Sequence, residues 1–225
     1  MPKFINDIFA DMTIRQQVRL VAFVVLGASI VVLLHGVAVR LSTVSYVAPD
    51  VALEPEQVAG ELARSAPVEL SIPAIALQAA FEGSLGVNPD GTMEVPVSYD
   101  DLGWYQYGPT PGELGPAVVV GHVDSFAGPA VFYRLGELTP GDEIIIDRAD
   151  GTTATFVVTG LERFAQDSFP TALIYSDLDY PGLRLITCSG VFDQGTLRYT
   201  HNLVVFAALV EPEEAEEVSA DDGVG

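Results

Sequence analysis

The sequence predicts an all-β domain, and three observations carry that expectation. Fifteen prolines and twenty-one glycines punctuate 225 residues, and the short segments between them are rich in β-branched residues. Several of these segments alternate apolar and polar side chains with the period of two that a half-buried strand requires. Strong turn sequences, Asn88-Pro89-Asp90-Gly91 and Asp150-Gly151, separate consecutive segments. The length fits one domain with appendages and a sizeable core.

Taken in order, Met1 to Arg19 is short and of mixed charge, with Lys3, Arg15 and Arg19 set against Asp7 and Asp11. Leu20 to Val39 gives twenty residues without a formal charge. At about 1.5 Å per residue such a helix crosses a hydrocarbon layer of about 30 Å. A cleaved signal peptide is the rival reading, but its apolar core is shorter, about 7–15 residues. The basic residues Lys3, Arg15 and Arg19 before the span and Arg40 after it place residues 1–19 in the cytoplasm and the remainder outside.

Residues 40–66 read as a stalk, with helical character from Glu54 to Arg64. The folded domain is expected over 67–210, beginning where Val68-Glu69-Leu70-Ser71-Ile72 alternates. Met93–Val97 reads as a short strand. The Gly103–Gly112 stretch, rich in aromatics, glycine and proline, reads as a loop over a site mouth, with packing of Trp104 on the core as the alternative. Ala117 to Gly121 is a continuous apolar strand ending in His122. Glu143–Arg148 and Thr153–Leu161 flank Asp150-Gly151 as a hairpin. A long connection over 163–182 contains Phe169-Pro170, and loops of that length tend to be functional. Leu183 to Thr187 is a buried strand ending at Cys188, where Ser189-Gly190 opens a loop, and Asn202–Leu209 closes the domain.

Charge and cysteine usage exclude several functions. With 10 basic and 31 acidic residues, the formal charge is −21, which argues against nucleic acid or any other polyanionic partner. Seven of the acids fall in 211–225, which reads as a solvated, disordered tail. Lys3 is the only lysine, so no lysine base or Schiff base can act in the domain. Cys188 is the only cysteine and cannot form an intramolecular disulfide, so in an exported domain its thiol needs explaining. It can be a small core hydrophobe or a nucleophile. One cysteine and three scattered histidines make no zinc site, and neither a calcium cluster nor a phosphate-cradling glycine loop is present, so no cofactor or metal is expected.

Two apolar strands each end in a reactive side chain, His122 and Cys188. A cysteine with a histidine elsewhere in the chain is the arrangement of a thiol nucleophile and its acid/base partner. Arg198, just before the last strand, is a permanently charged planar donor that could stabilise an oxyanion or simply be solvated.

Thr187-Cys188-Ser189-Gly190, with Gly121-His122-Val123-Asp124-Ser125 upstream and Arg198 before a closing apolar strand, resembles the sortases, membrane-anchored cysteine transpeptidases of Gram-positive bacteria. The Gly103-Trp104-Tyr105, Pro111–Pro116 and Gly121–Ser125 runs look most like the class F enzymes of actinobacteria. The resemblance covers about Val68 to Val210 and implies a closed eight-stranded sortase-type β-barrel with short helices, preceded here by the membrane helix. It implies Cys188 as nucleophile, His122 as acid/base and Arg198 as transition-state stabiliser. Arg184, four residues before Cys188 and on the same strand face, is the reserve arginine. Ile186, Thr187, Arg184 and Phe169 are expected to line the peptide. Ser189 stands where class F sequences often have glycine, and His201 competes with His122 for the acid/base role.

The implied reaction is attack of Cys188 on an extended Leu-Pro-x-Thr-Gly-type (LPxTG) surface protein between Thr and Gly, a thioacyl enzyme, and transfer to a peptidoglycan-precursor amine. Two alternatives remain open at this point. An exported L,D-transpeptidase is also a cysteine enzyme, but it keeps its histidine within a few residues of the cysteine, whereas here the gap is 66. A membrane-tethered β-domain with an inert Cys188 needs no chemistry at all.

Overall fold

The computed structural model describes residues 59–211. Residues 1–58 and 212–225, and with them the expected cytoplasmic segment, the Leu20–Val39 span, most of the stalk and the acidic tail beyond Glu211, lie outside the described residues. Among the described residues no helix is long and apolar enough to cross a membrane.

Eight strands close into a barrel in the order β1-β2-β3-β4-β9-β10-β8-β7. These are β1 Pro67–Ile72, β2 Leu77–Leu85, β3 Leu102–Tyr105, β4 Gly115–Val120, β7 Glu143–Arg148, β8 Thr153–Ala165, β9 Pro181–Asp193 and β10 Arg198–Leu209. A two-stranded ribbon, β5 Asp124–Ser125 with β6 Gly128–Pro129, follows β4. Among the described residues one α-helix, α1 Thr171–Tyr175, and short 3-10 turns fill the connections. Most neighbours are antiparallel, but β2 pairs β3 and β4 pairs β9 in parallel.

Period-two patterning explains the two sides of the wall. Leu70 and Ile72 of β1, Ile144 and Ile146 of β7, Phe156 and Val158 of β8, Leu183 and Leu185 of β9 and Val205 of β10 fill the interior with almost no exposure. Val68 breaks the expected alternation and is 50% exposed, because the β1–β7 register shifts between Pro67 and Glu69. The hairpin at Asp150-Gly151 forms as expected, with Gly151 at φ 86° supplying the left-handed position the turn needs.

The intervening residues of β4, β9 and β10 face the outside, yet they are buried too. Val118, Val120, Ile186, Val204 and Phe206 form a second apolar cluster with Leu85 and Ile174. Helix α1, Phe164 and Phe169 pack over it. This doubly covered part of the wall explains why Ala117–Val120 reads as a continuous rather than alternating apolar run.

Several element assignments change. Met93–Val97 is not a strand, and only a bridge between Val87 and Met93 forms. The described part of Glu54–Arg64 is irregular and lies on the barrel: Ala59 N–H donates to Leu209 O, and Leu62 packs on the core. Residues 59–66 therefore belong to the packed body rather than to a free stalk, held also by Ala63 O, which accepts from the buried Arg148 guanidinium. Trp104 sits in β3 against the interior cluster, with Arg64 over its ring. The connection expected over 163–182 is shorter, because β8 runs on to Ala165 and α1 occupies part of the rest.

Candidate active site

The site is built where β4 stops and β9 continues. The parallel register runs from Gly115 opposite Pro181 to Val120 opposite Ile186. One step on, Gly121 N–H donates to Ile186 O and Thr187 Oγ1 donates to Gly121 O at 2.9 Å. The next residue along each chain is His122 on one and Cys188 on the other. Parallel pairing delivers both strands to the same edge of the sheet, and two distant sequence positions arrive there in step.

Cys188 is not at the end of its strand, as Ser189-Gly190 suggested. Strand β9 continues to Asp193 as a hairpin with β10, where Cys188 pairs with Asn202. Its partial exposure arises because its neighbour β4 has ended. The free thiol is pushed up from the ordinary cysteine range, chiefly by burial and then by the Asp124 carboxylate, with a hydrogen bond from Gln166 acting in the opposite direction. Gln166, in the 3-10 turn that follows β8, brings Nε2 to 4.0 Å from Sγ and to 2.9 Å from Asn202 Oδ1.

His122 is oriented by the β2–β3 connection. Nε2 lies 2.8 Å from Pro96 O and, facing a carbonyl, must carry the proton and donate. Tyr99 packs against the ring at 4.6 Å between centroids. In the neutral imidazole, Nδ1 is the nitrogen left to take up a proton. The His122 backbone is tied down as well, because Phe132 N–H donates to His122 O.

Asp124, two residues further, accepts from the Tyr199 hydroxyl of β10 at 2.5 Å. The chain leaving β4 is thus tied across to the strand on the far side of β9. That hydrogen bond, with the neighbouring negative charge, pushes the Tyr199 phenol up to about 12.

The remaining expected residues fall in different places. Arg198 is exposed at the start of β10, opposite Asp193. It is four residues from Asn202, about 13 Å along a strand, and its charge contributes to holding down the Asp90 carboxyl, which Thr92 hydrogen bonds lower most. Arg184 is 4% exposed and stacks on Phe206 at 4.7 Å, and burial lowers its guanidinium below the ordinary value. Ile186 and Thr187 are 7% and 3% exposed, one in the outer apolar cluster and the other engaged with Gly121. Phe169 lies half-buried over that cluster. His201 pairs with Ser189 and its Nδ1 lies 2.7 Å from Thr200 Oγ1, which takes up that ring nitrogen.

The sequence pattern by itself assigns no role to Gln166, Asn202, Asp124 or Tyr199. Asp124 lies inside the Gly121–Ser125 run and Tyr199 beside Arg198, so both were within reach of the motifs, whereas nothing near Gln166 marks it. Among the described residues no three His, Cys, Asp or Glu side chains group closely enough to hold a metal ion.

A closed, mixed barrel with a half-exposed thiol at the edge of a parallel strand pair defines an architecture with known relatives. The sortase domain family model matches residues 70–210, and the chain belongs to the sortase family. Among solved structures it is similar to a lid mutant of sortase A from Corynebacterium diphtheriae, at 21% identity over 69% of this chain and 75% of that one, with a TM-score of 0.52. It is also similar to Streptococcus agalactiae sortase C1 in complex with MTSET, at 18% identity over 68% and 73% of the two chains, with a TM-score of 0.51. At these identities the likeness is one of fold. No curated protein matches the chain.

Proposed function

We propose that this chain is a sortase of the class F type, anchored through Leu20–Val39 with residues 1–19 in the cytoplasm and the barrel outside. It cleaves an LPxTG-type sorting signal through a thioacyl enzyme on Cys188 and transfers the acyl group to a cell-wall precursor amine. The observation that carries this reading is the Thr187–Gly121 hydrogen bond that extends the parallel β4–β9 pair, one step before Cys188 and His122.

A thiol whose proton is held by burial and by Asp124 needs a base, and His122, with Nε2 committed to Pro96 O, offers Nδ1 for that proton. The sulfur adds to the Thr carbonyl carbon. The amine leaves with the proton from His122, and the acceptor amine returns a proton to the same ring as it displaces sulfur. Arg198 contributes positive charge to the oxyanion from the rim. Phe169, half-buried over the outer cluster, offers apolar surface for the Leu-Pro half of the peptide. An inert structural thiol is disfavoured, since Cys188 is only partly buried and sits among polar groups from three elements.

The test is mass spectrometry of the full-length chain in detergent with Leu-Pro-Glu-Thr-Gly peptide and an excess of a primary amine. Loss of the glycine half, gain of the amine and a thioacyl adduct on Cys188, all absent from Cys188→Ala, are expected. An intact peptide alongside a thiol that alkylates normally overturns the proposal.

A further inference from the structure

Gln166 is held against the cysteine by the strand that carries the cysteine's pairing partner. Its Nε2 faces Asn202 Oδ1 at 2.9 Å and the His201 carbonyl at 3.5 Å. A carbonyl can only accept, so the nitrogen of the amide points inward. A primary amide has two N–H groups. Asn202, opposite Cys188 in the β9–β10 register, takes one at 2.9 Å, and the other is shared between the more distant His201 carbonyl at 3.5 Å and Sγ at 4.0 Å. The donor is placed by backbone: β8 pairs with β10 up to Ala165 opposite His201, and Gln166 is the next residue.

We propose that Gln166 is a catalytic residue whose second amide N–H donates to the oxyanion formed when Cys188 attacks an acyl carbon. The assignment rests on the reading of Cys188 as an acyl-transfer nucleophile. Addition of sulfur forms the S–C bond and moves the carbonyl π pair onto oxygen. Collapse breaks the bond to the leaving group, which departs as an amine protonated by His122 or as a stable phenolate. Gln166 gains and loses no proton. A donor standing about 4 Å from sulfur in the resting enzyme is placed to meet an oxygen bonded to the carbon that sulfur attacks. Arg198, exposed and four residues from Asn202, has no comparable position.

The test compares reactions with and without an oxyanion on the full-length chain. Acylation of Cys188 by p-nitrophenyl acetate and by Leu-Pro-Glu-Thr-Gly peptide passes through one, whereas alkylation by iodoacetamide, a displacement at saturated carbon, does not. Gln166→Met, which keeps the chain length, and Gln166→Ala are expected to lower ester acylation about 100- to 1000-fold. Iodoacetamide alkylation, which loses only the Gln166 hydrogen bond that favours the thiolate, should fall far less, by under about tenfold. Equal losses in both reactions would mean that Gln166 acts on the thiol or the fold and would overturn the assignment, as would unchanged acylation in Gln166→Met. Wild-type protein that is acylated by the ester but never by the peptide refutes the sorting-signal reading while leaving the oxyanion assignment to stand or fall on the ester data.

Discussion

Thr187→Val isolates the contact that keeps the two halves of the site in step. Thr187 is 3% exposed and its hydroxyl donates to the buried Gly121 carbonyl at 2.9 Å. Valine keeps the β-branched shape that the strand favours and removes only the donor, leaving the carbonyl without that partner. An orphaned buried acceptor costs about 1–3 kcal/mol. In a domain of this size each kcal/mol moves Tm by about 2–4 °C, so a loss of about 2 kcal/mol lowers Tm by about 4–8 °C. Thr187→Ser keeps the hydroxyl and gives up one methyl, a loss of about 1 kcal/mol. Gly121 immediately precedes His122, and a shift of about 1 Å in a catalytic group can lower the rate about 100-fold. Acylation of Cys188 should therefore fall at least about tenfold in the valine variant and recover in the serine variant. Circular-dichroism melting and an acylation rate at 25 °C read the two effects. A valine variant with wild-type Tm and rate would show that the contact neither stabilises nor positions, and one with lower Tm but an unchanged rate would show that it stabilises without positioning.

Burial and, after it, the Asp124 carboxylate oppose thiolate formation, so the pH midpoint for iodoacetamide alkylation of Cys188 should lie above that of an ordinary cysteine and move part of the way down in Asp124→Asn; an upward move would contradict this. Tyr199 should titrate at about 12 in an ultraviolet absorbance titration, and in Asp124→Ala it should return towards the ordinary value of about 10. Because its folded value is raised, the folded state keeps the Tyr199 proton where the unfolded chain has lost it. That contribution to stability is complete below about 10 and is lost as pH rises through about 12. Gly121→Ala would bring a methyl within 2.7 Å of Val131 Cγ1 and 2.8 Å of Phe132 Cδ2. Overpacking of this kind costs about 1–3 kcal/mol, and chemical denaturation should read it.

What was legible in the sequence was local. The hairpin at Asp150-Gly151 and the apolar runs before His122 and Cys188 follow from turn chemistry and strand patterning, and each appears where it was expected. The resemblance to sortases, rather than periodicity, supplied the closed barrel. Strand ends were less legible because they depend on partners: β9 passes Cys188 because β10 continues to pair with it, while β4 stops two residues short of His122. Met93–Val97 has the composition of a strand but pairs through a single bridge. Gln166 was invisible because its value lies wholly in the register that sets it beside Asn202, a contact 36 residues away in the chain.

The proposed mechanism requires the His122 ring and the Cys188 sulfur to face one another, which cross-linking with 1,3-dibromoacetone followed by peptide mapping measures directly. The reagent alkylates a thiol and then bridges to a nucleophile within a few ångströms. A single species joining Cys188 to His122, formed in the full-length chain and lost in His122→Gln, is the predicted result. A bridge from Cys188 to His201, or a thiol alkylated at one end only, would contradict it.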